Sequence, residues 1–133
     1  MAGKTTYLSN KVLDHVLKNT AYTSPAAVYA ALFTAAPTDA YTSGVPTGTE
    51  VSGNNYARVA ITFAAGSSGA TSNSSIVTFP TPSGSWGACT HFGIFDALTT
   101  GNLLYWGALA QTETPISGNA VTFPANDLDV TED

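Results

Sequence analysis

The segment that decides the fold is residues 90–109, which reads THFGIFDALTTGNLLYWGAL. Two runs rich in aromatic and aliphatic side chains, 90–95 and 103–109, flank a stretch of turn-forming residues that includes Asp96 and Gly101. Strand-forming residues on both sides of such a connection are typical of a β-hairpin. The sequence therefore predicts a hairpin at the centre of a mostly β protein.

Further short runs of similar composition lie on both sides of this hairpin and are separated by turn residues. In one of them the alternation places Val59, Ile61 and Phe63 on a single face. About seven short strands at these spacings favour a jelly-roll-like β-sandwich or a small barrel. The chain is expected to form a single domain over residues 1–133. The predicted strands are 28–34, 56–63, 75–79, 90–95, 103–109, 120–123 and 128–131.

One segment near the N-terminus has the spacing of an amphipathic helix. Its predicted span is about residues 9–19, with Ser9 or Asn10 as the N-cap. Because a helix this short needs tertiary contacts to remain folded, Leu13 and Leu17 are candidate protein-contact residues. The apolar side chains that define the stripe are Leu8, Val12, Leu13, Val16 and Leu17.

The composition favours protein–protein assembly. Charged residues make up 10% of the chain, against about 25% in an average soluble domain. Burying unpaired charge is costly, so a surface with few charges suits permanent protein contacts. The chain carries a formal net charge of −5 and has only four basic residues, which are not clustered. Nucleic-acid binding is therefore not expected.

The sequence contains neither the long apolar run of a membrane-spanning helix nor an N-terminal signal peptide. Synthesis in a cytoplasm, with no membrane partner, is the expectation. The chain has one cysteine and so no internal disulfide.

Few residues suggest chemistry. Cys89 and His91 lie two apart on a predicted strand, which would place them on one face. A thiolate beside an imidazole base could act as a nucleophile, but the surrounding aromatic residues favour a packed thiol. The acidic residues Asp127 and Asp129 lack the spacing of a calcium loop and are typical of an edge strand. No catalytic residue, metal ligand or cofactor is predicted.

Two long polar segments, residues 38–49 and 64–75, are predicted to be mobile or partner-facing loops. Tyr41 lies in the first of them and is the residue most expected to be an exposed contact, although it could instead latch the loop. Trp86 follows a stretch of small residues and either plugs the edge of the core or anchors a partner.

Several blocks of the sequence resemble a family of small bacteriophage virion proteins commonly labelled tail-fibre proteins. The block HFGIFD, residues 91–96, is the most specific of them. The resemblance implies a virion component that is synthesised in the host bacterial cytoplasm, and it supplies no catalytic residues to assign. Its partners would be tail, fibre or major capsid proteins and copies of itself. The matching blocks are residues 8–20 with 29–39, 49–58, 86–97 and 101–109.

Four residues within these blocks have a structural interpretation. Gly93 and Gly107 permit close packing between sheets or close approach of the backbone. Asp96 can cap a turn through its side chain. Arg58 is a cation on a strand, where a carboxylate partner is expected.

The leading hypothesis is a non-enzymatic virion structural protein, associated with the tail or fibre, that acts through assembly. One alternative is a capsid decoration (cement) protein that bridges major capsid subunits. A second, from a different class, is a carbohydrate-binding receptor-recognition module that uses Trp86 and Tyr41 as stacking platforms.

Overall fold

The computed structural model describes residues 2–132, which form one helix and ten strands. The helix, α1, spans Thr6–Leu17. The strands are β1 (Gly3–Lys4), β2 (Val28–Ala35), β3 (Thr49–Glu50), β4 (Val59–Ile61), β5 (Ala70–Ser72), β6 (Val77–Thr78), β7 (Cys89–Phe95), β8 (Leu103–Glu113), β9 (Thr122–Phe123) and β10 (Asp129–Thr131).

The predicted hairpin forms the centre of the main sheet. Strands β7 and β8 pair antiparallel, with Phe92 opposite Gly107 and Ile94 opposite Tyr105. The six-stranded sheet has the order β1-β8-β7-β2-β3, and β4 also pairs with β2. Two small sheets, β5-β10 and β6-β9, complete the fold. The mostly β architecture with a short N-terminal helix is confirmed, and the main sheet does not close into a barrel.

The main sheet is buried on both faces. On β2, Ala30 and Leu32 face a first core with the side chains of the two small sheets, while Ala31 and Phe33 face a second core. Alternate residues of a strand point to opposite faces, so a strand covered on both sides must be apolar throughout. This explains why residues 28–34 are continuously apolar.

Gly93 packs closely against side chains of the second core. A Cβ atom at this position would lie 2.7 Å from Leu103 Cδ1 and 2.9 Å from Phe33 Cε1. The close contacts at Gly93 come from neighbouring strands of its own sheet, β8 and β2, and not from a second sheet as expected. The turn capped by Asp96 is present, since Asp96 Oδ1 accepts a hydrogen bond of 2.8 Å from the backbone N–H of Asn102.

The helix begins three residues earlier than predicted. Thr5 is the N-cap and Lys18 the C-cap, so the assignment of Ser9 or Asn10 as the N-cap is wrong. Thr5 is fully buried, and its hydroxyl both accepts from the Leu8 N–H at 3.4 Å and donates to the Leu103 carbonyl at 2.7 Å. The start of the helix is thus set by a contact with β8, which local spacing does not reveal.

Two predicted loops contain ordered structure. The segment 64–75 includes β5, and Asn73 within it is fully buried. The segment 38–49 contains Tyr41, which is only 6% exposed and packs in the second core. Both segments are therefore attached to the core, because one large or hydrogen-bonded residue in each anchors the surrounding polar chain.

Candidate protein-contact surfaces

Helix α1 is attached to the rest of the protein by its N-terminal half. Leu8 is 6% exposed, whereas every residue from Leu13 to the C-cap is exposed. The backbone N–H of Thr6 donates to the Asp39 carbonyl at 2.9 Å, which adds a second attachment at the start of the helix. The C-terminal half therefore projects from the body of the protein.

This projecting half carries an exposed apolar surface. Leu13, Val16 and Leu17 are 54%, 64% and 73% exposed, respectively. Residues separated by three or four positions lie on the same side of a helix, so these three side chains form one patch, here called the helix face. Isolated exposed apolar residues are ordinary, but a contiguous patch is typical of an interaction site.

The structure places the other two predicted contact residues inside the protein. The Tyr41 ring packs edge-on against Phe95, with ring centroids 5.4 Å apart. The expectation that Tyr41 is exposed is wrong, and its loop-latch alternative describes what is found. In the second core the apolar surfaces of the Tyr41 ring and of Phe95 are both removed from water, which is favourable.

Trp86 is 5% exposed and closes the edge of the first core. Its ring meets Tyr56 in a T-shaped contact with centroids 5.2 Å apart, and its Nε1–H donates to the Asn54 carbonyl at 2.9 Å. Trp86 therefore has the first of its two predicted roles, since its side chain fills the edge of the core. Neither face of the indole is open in this conformation.

A largely buried ionic cluster joins Glu50 on β3 to Tyr56 and Arg58 in the segment before β4. Arg58 Nε and Nη2 donate to the two Glu50 carboxylate oxygens, each at 2.8 Å. The expectation of a carboxylate partner for Arg58 is confirmed. The Tyr56 hydroxyl donates to Glu50 Oε2 at 2.8 Å, and burial together with the charge of Glu50 raises the pKa of Tyr56. Arg58 lies in the segment just before β4 and Glu50 on β3, so no local pattern in the sequence identifies Glu50 as the partner of Arg58.

Cys89 and His91 do not form a catalytic pair. The prediction that they share a face is wrong, because the β7–β8 register shifts between them. Cys89 is fully buried in the first core. The His91 ring instead contacts Trp106, which packs on the second core, and its Nδ1 lies 2.8 Å from Thr90 Oγ1.

Burial, with a smaller effect of Glu113, raises the pKa of the Cys89 thiol to about 11. A thiol with this pKa is protonated at neutral pH and is a poor nucleophile.

Within residues 2–132, no three His, Cys, Asp or Glu side chains are grouped so that they could hold a metal ion. No helix in that range is long and apolar enough to cross a membrane.

No curated protein matches the chain. The family described as Podophage GP4 fiber I protein gp80 matches residues 3–131, which is nearly the whole chain. The tail-fibre resemblance of the sequence blocks is therefore confirmed. The chain belongs to the Podophage GP4 fiber I protein gp80 family, a family of phage fibre proteins.

Proposed function

We propose that this protein is a non-enzymatic structural component of the phage fibre that assembles with other virion proteins through the helix face. The observation that carries the proposal is the projecting half of α1, on which Leu13, Val16 and Leu17 are more than half exposed. A patch of this kind gains free energy when a partner covers it. Full burial of one such side chain is worth about 1.5–3 kcal/mol.

The attachment of the helix supports this role. Thr5 and Leu8 anchor its first turn, so the helix face is held on a fixed support. A preorganised contact surface loses less conformational entropy on binding than a flexible one. The contact can therefore be specific even though the patch is small, and repetition of such contacts in a particle multiplies their strength.

Catalysis and sugar binding receive less support from the same residues. Cys89 is buried with a protonated thiol and does not meet His91. Sugar stacking requires an open aromatic face, whereas Tyr41 and Trp86 are 6% and 5% exposed. Assembly uses the apolar surface that the protein does expose.

The test is incorporation into particles. A phage that lacks this gene is supplied with the wild-type chain, the double variant Leu13→Ser/Leu17→Ser, or the control Ile116→Ser. Ile116 is a suitable control because it is exposed to the same extent as Leu13, at 54%, but lies far along the chain on a loop. The quantity of each chain in purified particles is measured by mass spectrometry.

We expect the double variant to fold, as judged by circular dichroism, and to be missing from particles, whereas Ile116→Ser is incorporated. Incorporation of the double variant at the wild-type level would exclude the helix face as the contact. Particles without the wild-type chain would exclude a structural role altogether. Gold labelling of the incorporated chain separates the fibre from the capsid shell, and label on the shell would indicate the decoration alternative.

A further inference from the structure

The helix face has a charged margin on one side. At about 100° per residue, its three side chains span an arc of about 100° around α1. Just beyond Leu17 on this arc lie Asp14 and Lys18, which are both exposed. Beyond Val16, on the other side, lies Val12, which is half-buried. The apolar patch is therefore bordered along one margin by an acid and a base that are about one turn apart.

The part of the chain that the structure describes leaves the helix face uncovered. After the helix the chain turns back, and the backbone N–H of Tyr22 donates to His15 Nδ1 at 3.3 Å. His15 lies on the far side of α1 from the helix face. The returning segment therefore supports the projecting half from behind, while Leu13, Val16 and Leu17 stay exposed.

An acid and a base on one margin make this surface complementary to itself. A two-fold axis perpendicular to α1 places the charged margin of one copy beside the same margin of the other copy, in the reverse direction. Asp14 of each copy would then lie opposite Lys18 of the other. Opposite charges arranged in this way fix the orientation of a contact and disfavour other partners.

One position of the axis serves both the charges and the apolar patch. The midpoint of the charged pair along the helix lies at Val16, and the midpoint of Leu13 and Leu17 lies at His15. These two levels differ by about 1.5 Å, which is the rise of one residue. The leucines of each copy would therefore cover those of the other while both ion pairs form.

A parallel pair of helices would not use these charges. An axis along α1 brings the charged margin of one copy beside the opposite margin of the other, where Val12 lies. Asp14 and Lys18 would then be removed from water without an ionic partner, which is costly. The charge pattern therefore favours the antiparallel pair over a parallel pair and over a three-fold bundle of parallel helices.

We propose that the helix face binds the helix face of a second copy of this chain, in an antiparallel pair related by a two-fold axis near Val16. This inference rests on the proposed function, because it names the partner that covers the helix face. Three apolar side chains from each copy bury less than the roughly 1,200 Å² at the lower end of stable interfaces. The pair is therefore weak in solution, and repetition in the particle strengthens it.

The test reverses the charges of the margin one at a time. Asp14→Lys leaves two cations on the margin and Lys18→Asp leaves two anions, so neither variant should pair with itself. A mixture of the two variants restores both ion pairs and should form a heterodimer. An effect on the folding of a single chain could not produce this rescue. The control is Asp127→Lys, which changes the charge of an exposed residue outside the helix.

Sedimentation equilibrium of the full chain provides the measurement, at up to about 1 mM protein because the contact is small. We expect the wild type and the control to form dimers. Each single reversal, and the double variant Leu13→Ser/Leu17→Ser, should raise the dissociation constant about tenfold or more. The mixture of the two reversals should have a dissociation constant close to that of the wild type.

A cross-link tests the position of the axis independently of charge. In the antiparallel pair the two Val16 side chains are adjacent, so Val16→Cys should form a disulfide-linked dimer when it is oxidised in air. The control is Ile116→Cys, at another exposed position. Linkage of both variants at the same rate would overturn the proposal. So would a wild-type chain that stays monomeric at about 1 mM, a trimer, or a mixture that does not associate.

The two proposals fail in different ways. If the chain stayed monomeric while incorporation into particles still depended on Leu13 and Leu17, a different virion protein would cover the helix face. The second copy would then be wrong as the partner, and the proposed function would stand. If the chain paired in solution but incorporation did not depend on the helix face, the pair would be real and the proposed function would be wrong.

Discussion

The guanidinium group of Arg58 forms a two-point ion pair with the carboxylate of Glu50, with both N–O distances at 2.8 Å. Arg58 Nη1 also donates to the carbonyls of Ala97 and Thr100, and the guanidinium lies 3.5 Å from the centre of the Phe95 ring. One side chain therefore connects β3, the segment before β4 and the β7–β8 turn. We conclude that Arg58 is structural, although it is the most chemically distinctive residue of its block.

Removing this cation should strongly destabilise the protein. The Arg58 side chain is 6% exposed, so Arg58→Met leaves Glu50 and two carbonyl groups without their partner. Loss of one member of a buried ion pair costs about 3–5 kcal/mol, which urea denaturation can measure. The double variant Arg58→Met/Glu50→Gln should recover part of the loss. If Arg58→Met lowered the free energy of unfolding by less than 1 kcal/mol, roughly the value of an exposed ion pair, the cluster would not have the proposed role.

Truncation of Trp86 should test its role as a plug of the core edge. Because the indole packs among Tyr56 and Phe79, Trp86→Ala should lower the free energy of unfolding by about 3–5 kcal/mol. Trp86→Phe retains most of the packing but loses the hydrogen bond to Asn54, which is worth about 1 kcal/mol. Thermal unfolding of both variants provides the measurement. A Trp86→Ala variant as stable as the wild type would show that the side chain is not part of the core.

The two halves of α1 should respond differently to the same truncation. Leu8→Ala removes a side chain that is 6% exposed and should cost about 2–4 kcal/mol. Leu17→Ala changes a side chain that is 73% exposed, so its effect should stay within about 0.5 kcal/mol. Chemical denaturation of the isolated protein distinguishes the two. A large loss from Leu17→Ala would mean that the helix face contributes to folding and is not reserved for a partner.

The protein should lose stability in alkaline solution through Cys89. Burial raises the pKa of this thiol to about 11, whereas a thiol in the unfolded chain titrates near pH 8.5. Unfolding therefore releases a proton between these values. The stabilisation is fully present below about pH 8.5 and decreases, by up to about 1.4 kcal/mol per pH unit, as the pH rises through the folded-state pKa.

The measurement is the free energy of unfolding from pH 8 to pH 11 for the wild type and Cys89→Ala. The variant is expected to be less stable at pH 8 because it leaves a small cavity, but its stability should decrease less with pH. Tyr56 remains in both proteins, so it does not account for the difference. Equal slopes would show that the thiol titrates alike in the folded and unfolded states.

Several features of the fold could be predicted from particular residues. The strand pattern of 90–95 and 103–109 identified the central hairpin, and the apolar spacing from Leu8 to Leu17 identified the helix. Leu13 and Leu17 could be proposed as contacts from that spacing, because a helix this short needs contacts outside itself to remain folded. Their contact with a partner remains a proposal.

Other residues were placed by contacts distant in the sequence. Tyr41 is buried because Phe95 offers it an edge-on contact, and these residues are far apart in the chain. Trp86 meets Asn54 in the same way, across 32 positions. A polar loop around an aromatic residue looks the same in sequence whether the ring points to solvent or to the core.

The sequence by itself determined the secondary-structure class, because side-chain periodicity reports which faces of a strand or helix are buried. The tertiary structure alone decided that the two-residue strand β1 lies between β8 and β10, which come at the opposite end of the chain's order. The physical reason is that strand pairing uses backbone N–H and C=O groups. Almost every residue carries these groups, so the sequence of side chains does not indicate which strands will pair.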